Sequence, residues 1–371
     1  MSRHKSGVNK GARGKLPWEA TVGQDAAARK RRSWPRRRRP SKAGAARYAA
    51  IDLGTNSCRL LIASPNENGF SVTDGFSRVV RLGERVAETG VLQPEAIERT
   101  ISALKHCANR VRSANVCRVR AVATAACRAA EDSAAFIARV REEVGLEMEI
   151  ISPEEEAALT VAGCGNLLRS GYGHALVFDI GGGSTEVMWV ETENGKPARL
   201  VDIMSLPFGV VTLRDEFGPE VLPTDRFRAL LSRIDGSLAP FDDHNSIREA
   251  ISAGDVRMIG TSGTVTTLGA MYLELPRYNR ARVDGLEIRF DSIRQLSGRL
   301  AAMPCDERLR HPCLGRGRGD LMLMGLAVLR AVCERWDVGK LRIADRGIRE
   351  GILTELMGAD GHTGIGVPLE R

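Results

Sequence analysis

The sequence predicts an α/β fold made by duplication, with a cleft between the two copies. Three observations lead there. Short apolar strands alternate with helical stretches. A strand-turn-strand unit occurs twice. Glycine-rich turns close both copies. Asp52, Gly54 and Ser57 of the first copy recur as Asp179, Gly181 and Ser184, each 127 residues later. A repeat of this length points to one α/β unit used twice. The 371 residues also suit two domains, since a domain usually takes about 100–200.

The charge is unevenly placed. Residues 1–47 hold 15 basic and 2 acidic side chains, whereas the other 324 hold 39 and 44. The net +8 is therefore a basic arm on a mildly acidic body. Residues 1–46 carry few large apolar side chains and are expected to be disordered, because they cannot bury enough surface to offset the entropy of ordering. The expected divisions are this arm, a first domain over 47–171 and a second over 172–371. Aromatic residues are only 5%, which disfavours a base-stacking platform for nucleic acid. No run of 18 apolar residues occurs, so no membrane-spanning helix is expected. The eight cysteines form no Cys-x-x-Cys pair, which suggests free thiols and a reducing, cytoplasmic setting. An arginine-rich, acid-poor leader also fits an organelle transit peptide.

Order is expected from Tyr48, with a strand to Leu53 and a return over Arg59–Ala63. The turn signal Pro65–Gly69 precedes a third strand from Phe70. Ile97, Ile101, Leu104 and Ala108 fall at helical spacing within 92–111. A strand over Val119–Thr124, a helix over Ser133–Val144 and a strand over Met148–Ser152 follow. Pro153 then opens a helix with Glu154, Glu155 and Glu156 in its first turn, where negative charge suits the helix dipole. The second copy runs as a strand Ala175–Asp179, a turn Gly181–Ser184 and a return Thr185–Val190. A third glycine-rich turn, Gly260-Thr261-Ser262-Gly263-Thr264, reads as strand, turn and helix start. The remainder reads as mostly helical, including 320–336, with a short strand at Leu341–Ala344.

A strand ending in a glycine turn can aim several backbone N–H groups at one anion. Gly54, Thr55, Asn56 and Ser57 form one such candidate phosphate loop, and Gly181, Gly182, Gly183 and Ser184 the other. Hydroxyls of Thr55, Ser57, Ser184 and Thr185 add donors. Two facing loops suit a chain of phosphates better than a single one. A lone Asp-x-Gly turn would be structurally ordinary; the matched pair, with a third loop at Gly263 and Thr264, is what carries the inference.

The segments Ile51–Ser57, Ala123–Arg128, Ser152–Ala157, Phe178–Glu186, Gly260–Thr264 and Arg346–Gly351 together resemble the exopolyphosphatase / guanosine pentaphosphate phosphatase family. That family belongs to the actin/Hsp70/sugar-kinase superfamily, so the resemblance implies two actin-like (ribonuclease H-like) domains around a cleft. It implies removal of a terminal phosphate from inorganic polyphosphate or guanosine pentaphosphate, with Mg²⁺ as cofactor. Glu156 would be the base or water-positioning residue. Asp179 would help bind Mg²⁺, with Asp52, its repeat partner, orienting the loop or the metal. Glu186 would position water or metal, and Arg128 would grip a phosphate. Each has an ordinary alternative: Glu156 as a solvated helix-start charge, Glu186 as an outward strand residue, Arg128 in a surface salt bridge, Gly263 and Thr264 as a structural turn.

Two positions depart from the family pattern. Ala158 stands where Arg is frequent, and Ala125 where Ser or Asn is usual, so polar contacts are lost. The resemblance further implies the short two-domain form and a homodimer. The clusters Arg29–Arg32 and Arg36–Arg39 would attract any polyanion, RNA or polyphosphate, or else form a solvated tail. A binding regulator with little turnover therefore stays beside the hydrolase as an alternative.

Overall fold

The computed structural model describes residues 46–67, 69–169, 171–192, 198–218, 223–311, 313–314 and 319–362. The basic arm, apart from Ala46, and the turn at 193–197 lie outside them.

The chain opens with an antiparallel meander, β1 (Tyr48–Leu53), β2 (Ser57–Asn66) and β3 (Gly69–Val79). α1 (Val86–Thr89) and α2 (Pro94–Ser113) lead to β4 (Arg118–Ala123), which lies parallel to β1. α3 (Ala125–Ala129) and α4 (Ser133–Val144) lead to β5 (Met148–Ile150), parallel to β4. The first sheet therefore has the order β3-β2-β1-β4-β5. The helices form where their sequences direct them. α2 starts with Pro94, which needs no N–H partner there, and buries Ile101, Leu104, Ala108 and Val111 on one stripe. α4 buries Phe136, Val140 and Val144 at four-residue steps and ends at Gly145, whose φ of 72° suits a helix terminus.

α5 (Pro153–Leu168) connects the halves. A second meander follows: β6 (His174–Ile180), β7 (Thr185–Glu191) and β8 (Arg199–Leu206). After α6 (Val210–Phe217), α7 (Thr224–Asn245) and α8 (Ile247–Ser252), β9 (Val256–Thr261) returns parallel to β6. Beyond it come α9 (Gly263–Tyr272), α10 (Arg280–Val283), β10 (Glu287–Arg289), α11 (Phe290–Ala302), α12 (Cys305–Arg310), α13 (Met322–Arg335), β11 (Lys340–Ala344) and α14 (Ile348–Ala359). The second sheet is ordered β10-β11-β9-β6-β7-β8. Without β10, the order β8-β7-β6-β9-β11 repeats that of the first sheet, so the duplication expected from the 127-residue offset is present in the topology.

The strands of the two sheets lie on either side of residue 171, whereas the helices that cover them do not keep to that boundary. α5 precedes that boundary, yet Ala157, Val161, Cys164 and Leu168 pack against Ala175, Val177, Met188 and Val190 of the second sheet. α14 is last in sequence, yet Ile352, Leu353, Leu356 and Met357 pack against Tyr48, Ala50, Leu61 and Val122 of the first sheet. Each sheet thus takes its covering helix from the other half. The two helices cross through glycines. A Cβ on Gly163 would stand 2.2 Å from Gly347 O, and one on Gly351 would stand 2.0 Å from Leu159 O.

All eight cysteines are free. No helix among the described residues is long and apolar enough to cross a membrane.

Candidate active site

β1 and β6 both end in glycine turns, and both turns open into one cleft of about 120 Å³ that is open to solvent. It lies at the carboxyl ends of the parallel strands, where open α/β sheets hold their ligands. Asp52, Gly54, Thr55, Asn56, Ser57, Glu156, Asp179, Gly181, Gly182, Gly183, Ser184, Gly263 and Thr264 all line it. Residues from four sequence segments, expected as candidates separately, are brought to one place.

The turn geometry explains why the loops suit anions. Asn56 O accepts from the N–H groups of Val80 and Arg81, and Thr55 O accepts from Gly83 N–H. In the second loop, Gly181 O and Gly182 O accept from the N–H groups of Val210 and Val211 at the start of α6. A trans peptide points its N–H opposite its carbonyl. With the carbonyls satisfied outward, the N–H groups of Asn56, Ser57, Gly182 and Gly183 are turned the other way, into the cleft these residues line. Asn56 Oδ1 and Ser57 Oγ are buried with no hydrogen-bond partner among the described residues. Buried polar atoms without partners are costly, and a bound oxyanion or its metal would satisfy them. The first turns of α5, α6, α9 and α14 also reach the cleft, through Glu156, Val210, Gly263 and Ile348. Their partial positive ends favour negative charge there.

Ser262 makes the turn into α9 at φ 133°, ψ 171°, a region side chains seldom occupy. Its hydroxyl accepts from Val265 N–H at 3.2 Å, so the strained residue also caps the helix.

Four carboxylates gather around the cleft. Glu156 is buried in the first turn of α5, whose start is capped by Ser152 accepting from Glu155 N–H. Arg128 donates from Nη1 to Glu156 Oε2 at 2.7 Å and to Ile151 O at 3.0 Å. Burial raises the pKa of Glu156, and the nearby Glu186 adds to it, while Arg128 opposes both. Burial, with Glu156 beside it, pushes Asp179 up to about 7. Asp52 is raised by burial, against the pull of Arg59. Glu186 is raised by burial, against hydrogen bonds donated by Ser184 at 2.6 Å and Ser205 at 3.0 Å. Such a concentration of costly negative charge is characteristic of catalytic sites.

Two expected site residues stand behind the surface rather than on it. Neither Arg128 nor Glu186 is among the residues lining the open space. Arg128 holds Glu156, and Glu186 holds the hydroxyl of Ser184. Sequence reasoning missed Arg59, Thr124, Ser262 and Thr267, which do line the cleft. Arg59 had a readable signal. It lies opposite Asp52 across the first hairpin, as Glu186 lies opposite Asp179 across the second. The offset of 127 that joins the two aspartates also joins Arg59 to Glu186, so the repeat carries opposite charges at this pair.

The residues present fit a Mg²⁺ ion of one coordination type. No group of three or more acidic, His or Cys side chains that could hold a metal occurs among the described residues. Mg²⁺ rarely needs one, since it takes one or two carboxylates and completes its shell with water and phosphate oxygens. Asp52 and Asp179, which both line the cleft beside the glycine loops, would supply that number of carboxylates.

A model of the Ppx/GppA phosphatase family matches residues 61–359. The Aquifex aeolicus Ppx/GppA family member is similar at 29% identity and a TM-score of 0.71, over 86% of this chain and 99% of that one. An exopolyphosphatase-like protein is similar at 28% identity and a TM-score of 0.72, over 84% of this chain and 97% of that one. An exopolyphosphatase from Cytophaga hutchinsonii shares the fold, with 22% identity, a TM-score of 0.76 and coverage of 84% and 98%. With its two actin-like domains and the matched glycine loops at their junction, the chain belongs to the Ppx/GppA phosphatase family.

Proposed function

We propose that the protein hydrolyses the terminal phosphoanhydride of inorganic polyphosphate. The observation that carries this reading is the shared cleft, in which two inward-facing sets of backbone donors lie beside the buried Glu156. Phosphoryl transfer depends mainly on positioning and charge neutralisation. The loops around Asn56 and Gly182 hold successive phosphates. Glu156, in its ionised form, takes a proton from water as the water oxygen bonds to the terminal phosphorus. The bridging P–O bond breaks, and orthophosphate leaves a chain one unit shorter. Arg128 keeps the Glu156 carboxylate oriented, and its charge keeps that carboxylate available as a base. Asp52 and Asp179 would hold Mg²⁺, which when bound neutralises phosphate charge.

Guanosine pentaphosphate is a second reading with its own support. Val210, Leu314, Leu321, Met322 and Ile348 give the cleft an apolar wall. Inorganic polyphosphate makes no use of such a wall, whereas a nucleoside would rest against it. Comparing kcat/KM for the two substrates on the purified full-length protein decides between them. Glu156→Gln should lower kcat on the preferred substrate by about 10²–10⁴, the usual worth of a general base. Equal, negligible phosphate release by both proteins would sink the hydrolase reading and favour a binding regulator. In that case the amino-terminal arm becomes the first suspect, and deletion of residues 1–46 would abolish polyphosphate or RNA binding.

A further inference from the structure

A second cavity, of about 210 Å³, lies at the opposite edge of the second sheet from the catalytic cleft. Its walls come from the amino-terminal ends of β9 and β11, whereas the cleft sits at their carboxyl ends. Arg257, Lys340 and Arg342 line it, with Glu287 and Asp337. The two guanidiniums are poorly satisfied. Their Nε atoms are buried without an acceptor. Both point an Nη1 at the same carbonyl, Leu167 O, at the long distances of 3.4 and 3.5 Å. Arg257 also lies over the Tyr172 ring, 4.9 Å from its centroid. The anion now serving this cluster is Glu287. It accepts from Lys340 Nζ at 2.7 Å and stands 4.0 Å from Arg257 Nη2. Its side chain is 36% exposed, on a three-residue edge strand, so it can swing away at little cost.

We propose that this cavity is a binding site for a small inorganic phosphate ion, orthophosphate or pyrophosphate, which replaces Glu287 between Lys340 and Arg257 and engages Arg342. A phosphate oxygen makes shorter, charge-assisted hydrogen bonds with guanidinium than a peptide carbonyl does. Its arrival therefore draws Arg257 and Arg342 from Leu167 O. That carbonyl belongs to the last turn of α5, and Glu156 lies in the first turn of the same helix. Eleven residues of helix, about 16 Å, connect the phosphate site to the catalytic carboxylate.

Pyrophosphate titrated into the full-length protein, followed by calorimetry, tests this without reference to turnover. Wild type should show a binding event that Lys340→Gln weakens about tenfold or more, as expected for a lost bond to a charged group. Glu287→Gln should strengthen the same event, because it removes the competing carboxylate. Both side chains are substantially exposed, so both variants should fold. Binding at the catalytic cleft or the arm is indifferent to these substitutions. Amide hydrogen exchange over 160–168 should speed up with pyrophosphate in wild type and not in Lys340→Gln. If every binding event has the same affinity in all three proteins, or if Glu287→Gln weakens rather than strengthens the event, the site does not exist.

Discussion

Thr55 and Gly182 occupy the same position in the two copies of the repeat and meet face to face across the cleft. A Cβ placed on Gly182 would come within 2.8 Å of Thr55 Cβ, and one on Gly183 within 2.7 Å of Thr55 Oγ1. The second loop therefore lacks side chains for two reasons. The other loop packs against its backbone, and on the proposed function phosphate approaches it as well. Gly182→Ala should push the loops apart. Overpacking of this kind costs about 1–3 kcal/mol, and the displaced donors should raise KM at least tenfold. Adding Thr55→Gly to that variant moves the missing side chain to the opposite loop and should recover most of the stability. A double variant no more stable than Gly182→Ala would show that contact between the loops is not the cause.

With Glu156 as the proposed base, the Arg128–Glu156 pair should set the pH range of activity. Glu156 must be ionised to accept a proton, and burial already holds its pKa high. Arg128 is the charge that opposes this. An opposite charge at hydrogen-bond distance is worth about 1–3 pKa units. Arg128→Gln should therefore move the acid limb of the kcat profile upward by about that amount. Activity lost near neutrality should partly return at higher pH. A variant whose kcat falls by one factor at every pH would mean that Arg128 acts on substrate and not through Glu156.

The carboxylate cluster should make the metal-free protein less stable as pH rises. Asp179 moves from 3.8 in an ordinary setting to about 7 in the fold. The folded state thus binds its proton more tightly than the unfolded state, so stability contributed by this group is full below the lower value and lost through the upper one. In chelator, Tm should fall by a few degrees between pH 6 and pH 8. Asp179→Asn should flatten that slope. Millimolar Mg²⁺ at pH 8 should raise the Tm of wild type through preferential binding to the fold and do much less for Asp179→Asn. A wild-type Tm that rises with pH across this window would contradict the arrangement described.

Ser262 separates strain from capping. Ser262→Gly relieves a conformation costing about 1–3 kcal/mol but removes the hydroxyl that receives Val265 N–H, and glycine is a tolerable N-cap. Its stability should equal or exceed wild type. Ser262→Ala keeps the strain and loses the cap, so it should cost about 1 kcal/mol or more. Chemical denaturation of the three proteins gives the order directly.

Much of this was legible in the residues, where the signal was local. The strand Tyr48–Leu53 and the helix Ser133–Val144 fall where apolar pattern and capping residues place them. The two loops followed from their glycines and their offset. β8 was missed because it is a half-buried edge strand with little alternation, Arg-Leu-Val-Asp-Ile-Met-Ser-Leu. α3 was missed because five residues carry no periodicity. The positions of Arg128 and Glu186 behind the cleft depend on how the turn of α3 and the strand β7 face after folding, and no spacing rule reports that. Least legible was the exchange of α5 and α14 between the sheets. It arises from tertiary packing, and its only local trace is glycine at 163 and 351, where helix backbones come too close for a side chain.

That exchange makes the two halves mutually dependent. A fragment cut at residue 171 would carry α5 without the sheet it covers and would leave its own sheet bare on the face that α14 occupies. The other fragment would suffer the same loss in reverse. Neither piece should fold alone, yet the two, produced together, should reassemble by trading helices into one active molecule. Two lobes of like topology would thus be halves of one folding unit and not separable modules.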